Sequence, residues 1–313
     1  MSEKKVLVTS TSFAKVDETP IRLLNEAGWE VVRLKGPFSD EELAAHIADF
    51  DAVIVGNDLV SQATLKAGRR LKVIVEHGTG IDNIDVKAAH KAGVPVYNTP
   101  HTNAAAVAEY VFAGLLSLLR RVEPARGSLR SGQWAGSTFI GAELTGKTMG
   151  IAGLGHIGRI TARIARGFGL NILYYDVFRH EPTEKELGLR YEPLNTLLRE
   201  SDVVVLHLPL VEETRGLIGL EELGLMKPSA YLVNVSRGGV VREGPLFEAL
   251  TQGRLAGAII DVFELEPPAP DNPLLALDNV ICTPHLAGYT KEALIRTSLA
   301  AAQRLLESEV AAG

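Results

Sequence analysis

The chain has 313 residues, more than one hydrophobic core usually supports, so two domains are expected. Its 46% hydrophobic and 22% charged residues exclude a disordered chain, and a net charge of −6 with a pI near 5.8 offers no basic field for a nucleic-acid backbone. A single cysteine, Cys282, excludes an internal disulfide and a thiolate metal site; with no export signal and no bilayer-spanning stretch read, the expectation is a cytoplasmic protein without membrane or nucleic-acid partners and without a metal.

Along the first hundred residues, short β-branched runs at Val6–Val8, Val31–Leu34, Ala52–Val55, Val73–Val75 and Val94–Tyr97 alternate with helix-like stretches. Ser39-Asp40-Glu41-Glu42 opens one helix with a capping residue and first-turn acids, and Gly28 and Gly93 each close another before a strand. Pro100 interrupts the series, and an apolar helix from about Thr102 or Asn103 to Arg120 bridges to a polar, glycine-rich interval, Gly127 to Gly146. A second series follows, with strands near Thr148–Ala152, Ile172–Tyr175, Val203–Leu208, Leu232–Val235, Gly257–Ile260 and Val280–Cys282. A last helix, Lys291 to Val310, is expected to cross back and complete the first domain. The alternation predicts an α/β protein of two doubly wound parallel-sheet domains.

Gly153-Leu154-Gly155-His156-Ile157-Gly158 lies directly after a predicted strand and directly before a helix-like stretch, the context in which G-x-G-x-x-G binds a dinucleotide. Gly153 permits the tight turn, Gly155 lets a pyrophosphate reach the backbone, and Gly158 lets helix and strand pack closely. The helix start then offers N–H groups and a positive dipole end to the phosphates. Asp176 stands 18 positions after Gly158 at the end of the next strand, where a carboxylate accepts the adenosine ribose hydroxyls and repels a 2′-phosphate, so NAD is expected. Arg179 nearby is the one residue that argues for NADP.

Three further segments sit at predicted strand ends: Asn234-Val235-Ser236-Arg237-Gly238-Gly239, Asp261-Val262-Phe263-Glu264-Leu265-Glu266-Pro267, and Thr283-Pro284-His285-Leu286-Ala287-Gly288. An imidazole moves a proton near neutral pH, a carboxylate on its other nitrogen orients it, and a guanidinium grips a carboxylate with a planar fork. In order and spacing these segments, with the glycine motif, His77-Gly78-Thr79-Gly80-Ile81-Asp82-Asn83-Ile84-Asp85 and Asn103 to Tyr110, closely resemble the D-2-hydroxyacid dehydrogenase family over nearly the whole chain. The resemblance implies a Rossmann NAD-binding domain at 100–285 and a flavodoxin-like substrate-binding domain from 1–99 and 286–313. It implies hydride transfer between nicotinamide and C2 of a small 2-oxo or 2-hydroxy carboxylate, with His285 as acid or base, Glu266 as its orienting carboxylate and Arg237 on the substrate carboxylate. Glu264 competes for the orienting role, but Glu266 directly precedes the proline, as in the family. The resemblance adds Pro209, Thr214, Val235, Asp261, His285 and Gly288 to the cofactor contacts already named, and His77, Gly78, Thr79 and Gly80, with Arg237 and His285, as substrate contacts. As side chains, His46, His90, His101, His156, His180 and His207 are read as surface or packing histidines.

The 127–146 interval, with Gly132-Gln133-Trp134 and Leu144-Thr145-Gly146-Lys147-Thr148, looks most like the phosphoglycerate dehydrogenase branch, without its regulatory extension beyond Gly313. Two basic residues of that branch are replaced here by Gly56 and Glu76, which leaves phosphoglycerate, hydroxypyruvate, glyoxylate and short-chain 2-oxo acids open as substrates. The family also implies a homodimer, to which the 101–146 region contributes. An NAD(H)-sensing protein on the same fold, like the family's corepressors, is the alternative to an enzyme.

Overall fold

A computed structural model describes residues 4–311. Among the described residues the backbone divides into two compact units, one formed by residues 4–103 and 289–311 and one by 104–288. In the first, strands β1 (Lys4–Val8), β2 (Trp29–Arg33), β3 (Ala52–Val55), β4 (Val73–Glu76) and β5 (Val96–Tyr97) alternate with helices α1 (Thr19–Glu26), α2 (Asp40–His46), α3 (Gln62–Ala67) and α4 (Val86–Lys91). The five strands pair in parallel in the order β2-β1-β3-β4-β5, the flavodoxin-like arrangement. Period-two alternation builds a core on each face: Val6, Val8, Ile54 and Val75 point to one side, Leu7, Val53, Val55 and Ile74 to the other. Ser39 caps α2 with the reciprocal bonds of a capping box, its hydroxyl accepting from Glu42 N–H while the Glu42 carboxylate accepts from Ser39 N–H.

The second unit opens on α5 (Ala104–Leu119) and α6 (Val122–Arg130), the latter running into the start of the glycine-rich interval. Then come β6 (Thr148–Ala152), α7 (His156–Gly167), β7 (Asn171–Tyr175), α8 (Glu181–Leu187), β8 (Arg190–Tyr191), α9 (Leu194–Glu200), β9 (Val203–Leu206), α10 (Leu220–Leu225), β10 (Tyr231–Asn234), α11 (Glu243–Thr251), β11 (Gly257–Ile260) and β12 (Val280–Cys282). The sheet has seven strands rather than the six expected, in the order β12-β11-β10-β9-β6-β7-β8. The extra strand, β8, is a two-residue edge strand, too short to leave an alternating pattern in the sequence. Strand order reverses between β6 and β9, and in open α/β sheets ligands bind outside the carboxyl ends of the strands at such a point.

The last helix, α12 (Lys291–Ala311), belongs to the first unit, where Ala301, Ala302 and Leu305 fill one face of its core. Among the described residues no helix is long and apolar enough to cross a membrane.

Candidate active site

The turn from β6 into α7 carries the glycine motif, and each glycine meets a different constraint. Gly153 has φ +97°, and a Cβ there would stand 2.4 Å from the His207 carbonyl oxygen. A Cβ at Gly158 would stand 2.2 Å from the Gly153 carbonyl oxygen, so helix and turn meet backbone to backbone. A Cβ at Gly155 would meet nothing within 4 Å; this residue is the N-cap of α7, and no side chain caps the helix. An open approach to an uncapped helix start is what a pyrophosphate requires.

Asp176, just beyond β7, turns its carboxylate onto this loop, Oδ2 accepting from Leu154 N–H at 2.7 Å and Oδ1 from Phe178 N–H at 3.4 Å. The Leu154 side chain itself is buried, so its contribution to a cofactor is through the backbone. His180 Nε2 lies 3.5 Å from Asp176 Oδ2, and Arg159 donates to His180 Nδ1 at 3.1 Å. Two of the histidines read as surface or packing groups therefore sit at this corner: His180 flanks Asp176, and His207 lies behind Gly153, its Nε2 bonded to Thr161 at 2.9 Å and burial driving its pKa down to about 3. Arg159, at the first turn of α7, carries no motif of its own; its Nε holds the Leu154 carbonyl. The loop after β9 is latched by Thr214, whose hydroxyl donates to Pro209 O at 2.6 Å and accepts from Val211 N–H at 2.9 Å. The donor set fits NAD: open backbone at Gly155 for the pyrophosphate, a carboxylate at Asp176 for the ribose.

At the carboxyl ends of β10, β11 and β12, three loops converge. Val235 is buried, and Asn234 shapes the first loop, accepting from Ser236 N–H and donating to the Arg237 carbonyl at 2.9 Å. Gly238 lets this loop press on the second, since a Cβ there would overlap the Phe263 carbonyl. Asp261, fully buried at the end of β11, accepts from Thr283 Oγ1 at 2.6 Å and from the N–H groups of Leu286 and Ala287 at 2.8 Å each. This carboxylate fixes the third loop, which also contains Gly288, and Tyr110 OH joins it through Thr283 at 2.6 Å. Burial pushes the Asp261 carboxyl pKa up against those bonds.

On that frame His285, at φ +52°, places Nδ1 2.7 Å from Glu266 Oε2, while Glu266 Oε1 accepts from Phe263 N–H. Glu264 points elsewhere, to the start of α11, where it accepts from Glu243 N–H at 3.0 Å. Burial works against the imidazolium, but the hydrogen bond and charge of Glu266, with the charge of Asp261, outweigh it and hold His285 above the ordinary histidine range. Burial raises Glu266 in turn, and its bond to His285 brings it below the ordinary carboxylate range. Arg237 is near enough for its charge to act on both. Its Nη1 donates to Ser236 O. The His285 side chain is 39% exposed.

In the first unit, the 77–80 loop follows β4. The His77 ring is turned into the fold: it is buried, Nδ1 lies 3.1 Å from both Ser10 and Ser12 hydroxyls, and Nε2 lies 2.9 Å from Ser298. Burial lowers its pKa to about 4 and keeps the ring neutral inside the fold. The N–H groups of Gly78, Thr79 and Gly80 donate to no acceptor among the described residues, while Thr99 and Asn98 hold the Gly78 and Thr79 carbonyls. Glu76 lies directly beneath: a Cβ at Gly78 would stand 3.0 Å from its Oε1.

A family model for the D-isomer specific 2-hydroxyacid dehydrogenase NAD-binding domain matches residues 112–287. A glyoxylate reductase of Korarchaeum cryptofilum is 43% identical over 87% of this chain and 83% of its own. A D-3-phosphoglycerate dehydrogenase of Archaeoglobus fulgidus is 38% identical over 96% of this chain but 56% of its own, so this chain spans about half of that relative. The crystal structure of D-lactate dehydrogenase from Aquifex aeolicus complexed with NAD and lactic acid superposes with a TM-score of 0.86, at 29% identity over 99% of this chain and 96% of that one. The chain belongs to the D-isomer-specific 2-hydroxyacid dehydrogenase family, NAD-dependent oxidoreductases that act on a CH–OH group.

Proposed function

We propose that this chain reduces a small, unphosphorylated 2-oxo carboxylate of the glyoxylate or hydroxypyruvate kind. The observation that carries the reading is the His285–Glu266 pair at 2.7 Å, with an accessible imidazole and Arg237 beside it, on the sheet whose glycine turn fits NAD. Glu266 takes the Nδ1 proton in hydrogen bonding and so leaves the Nε2 proton of the imidazolium for transfer to the C2 oxygen. Arg237 holds the substrate carboxylate with its guanidinium fork and draws charge toward the carbonyl. NADH, when bound, supplies the hydride to C2. In the opposite direction neutral His285 accepts the hydroxyl proton. Gly78, Thr79 and Gly80 offer their N–H groups as an anion nest, in the loop the family uses for substrate. Gly56 in place of a cation, and the Glu76 carboxylate under that loop, argue against a phosphate dianion. The relatives named glyoxylate reductase and hydroxypyruvate reductase agree with this choice.

A cytoplasmic homodimer is part of the same reading. Leu129, Trp134 and Ile140 are 59%, 93% and 82% exposed in the segment that the family uses for pairing. Light scattering is expected to give twice the chain mass. The activity is tested by following NADH oxidation with a panel of 2-oxo acids: turnover with glyoxylate or hydroxypyruvate, at least 10-fold above 3-phosphohydroxypyruvate and lost in His285→Ala, is expected. Tight NADH binding with no acid reduced would replace the enzyme by an NAD(H)-sensing protein.

A further inference from the structure

Arg179 is the one cation next to Asp176 in the sequence that suits a 2′-phosphorylated dinucleotide, and the structure commits its guanidinium elsewhere. Its Nε donates to Glu184 Oε1 at 2.9 Å and its Nη2 to Glu184 Oε2 at 3.0 Å, a two-pronged bond that uses both carboxylate oxygens. The carboxylate is itself fixed: the buried Tyr174 hydroxyl donates to Glu184 Oε1 at 2.5 Å and accepts from His180 N–H at 2.9 Å. On its outer side, the guanidinium carbon lies 5.9 Å from the centre of the Tyr191 ring. Glu184 is only 12% exposed although Arg179 is 58% exposed, so the acceptor belongs to the fold and the cation reaches it from the surface. The other guanidinium at this corner, Arg159, is engaged with Leu154 O and His180 Nδ1.

We infer that Glu184 is a cofactor-specificity residue: by holding Arg179 on the wall formed by Tyr174 and Tyr191, it withholds the cation that a 2′-phosphate would need beside Asp176. Discrimination against NADPH then has two separable parts. Asp176 repels the phosphate, and Glu184 removes the group that would compensate. The inference rests on the reading of Asp176 as the ribose acceptor. It goes beyond that reading by assigning a role to a residue in α8 that need not touch the cofactor.

Glu184→Gln is the direct test, because glutamine keeps an acceptor for the Tyr174 hydroxyl while giving up the charge and one of the two oxygens that hold Arg179. Affinities for NADH, NADPH, 5′-AMP and 2′,5′-ADP are measured by calorimetry on the full chain, alongside kcat/KM for both coenzymes. The expected result is a rise of roughly 10-fold in the NADPH to NADH preference, equivalent to about 1.4 kcal/mol, with NADH binding nearly unchanged and with 2′,5′-ADP gaining in parallel. Arg179→Ala, at an exposed position, keeps the test decisive if Glu184→Gln fails to fold. In the parent chain it is expected to change the preference less than 2-fold, and on the Glu184→Gln background to abolish the gain. An unchanged preference in Glu184→Gln, or a large loss of NADPH use on Arg179→Ala alone, overturns the inference. Failure of NADH and 5′-AMP to bind the parent chain would instead overturn the reading of the dinucleotide site.

Discussion

His285 and Glu266 set a pH dependence whose direction follows from their positions. The histidine is held above the ordinary value near 6.5, so the imidazolium persists to a higher pH than that of an unperturbed histidine, and reduction, which consumes that proton, slows as pH rises through the elevated pKa. In Glu266→Gln the raising partner is gone and burial remains. The alkaline limb of kcat/KM for reduction is therefore expected to move to lower pH, with a loss of about 10- to 100-fold near pH 8, read from full pH profiles of both proteins. An unshifted limb would sever Glu266 from the proton-transfer group. His77 has the opposite sign. Its pKa of about 4 in the fold lies below the unfolded value near 6.5, so its contribution is present above pH 6.5 and is lost as pH falls toward 4, by up to roughly 3 kcal/mol. Denaturant unfolding of His77→Asn is expected to give a lower stability at pH 7 and a shallower decline between pH 6.5 and 4.5. The sequence distinguished Glu266 from Glu264 only through the family's proline, and the structure gives the reason: Glu264 is bonded to the start of α11. It did not reveal which way His77 faces, because the serines that enclose it, Ser10, Ser12 and Ser298, lie 67, 65 and 221 positions away.

At the level of elements, the β6–α7 turn separates two kinds of glycine. Gly158→Ala drives a methyl group into the Gly153 carbonyl, so the helix must move; a loss of about 1–3 kcal/mol in stability and weaker NADH binding are expected together. Gly155→Ala meets open space in the fold, and its melting temperature is expected to stay within about 2 °C of the parent while NADH affinity falls at least 10-fold. Equal effects of the two substitutions on stability would contradict this division. Elements with a β-branched run, a capping residue or a long apolar stretch were legible: the five strands of the first sheet, the start of α2, α5 and α7 all lie within a few residues of expectation. The clamp in α8 was not, because its meaning depends on Tyr174 and Arg179 arriving at one carboxylate from different elements, which no local pattern encodes.

For the whole molecule, the alternation of β-branched runs and helical stretches carried the two parallel-sheet α/β architecture, and the last helix packs in the first unit. That helix is more than a closing strap. Leu305, Ala301 and Ala302 are fully buried against β1, β3 and β4 residues, and Ser298 bonds both His77 and Ala14 N–H. Leu305→Ala is expected to cost about 2–4 kcal/mol, visible in chemical denaturation, whereas Gln303→Ala on an exposed position of the same helix is expected to change stability by less than about 0.5 kcal/mol. The first unit is thus made from both ends of the described chain, while the second is continuous from 104 to 288. On the ribosome this imposes an order. All seven strands of the second unit emerge before the residues that roof the Val6, Val8, Ile54 and Val75 face, so that apolar face, with His77 at its border, stays uncovered until α12 is synthesised. The nascent polypeptide therefore passes through a stage in which its dinucleotide-binding half can already be native while one face of its amino-terminal sheet is still bare.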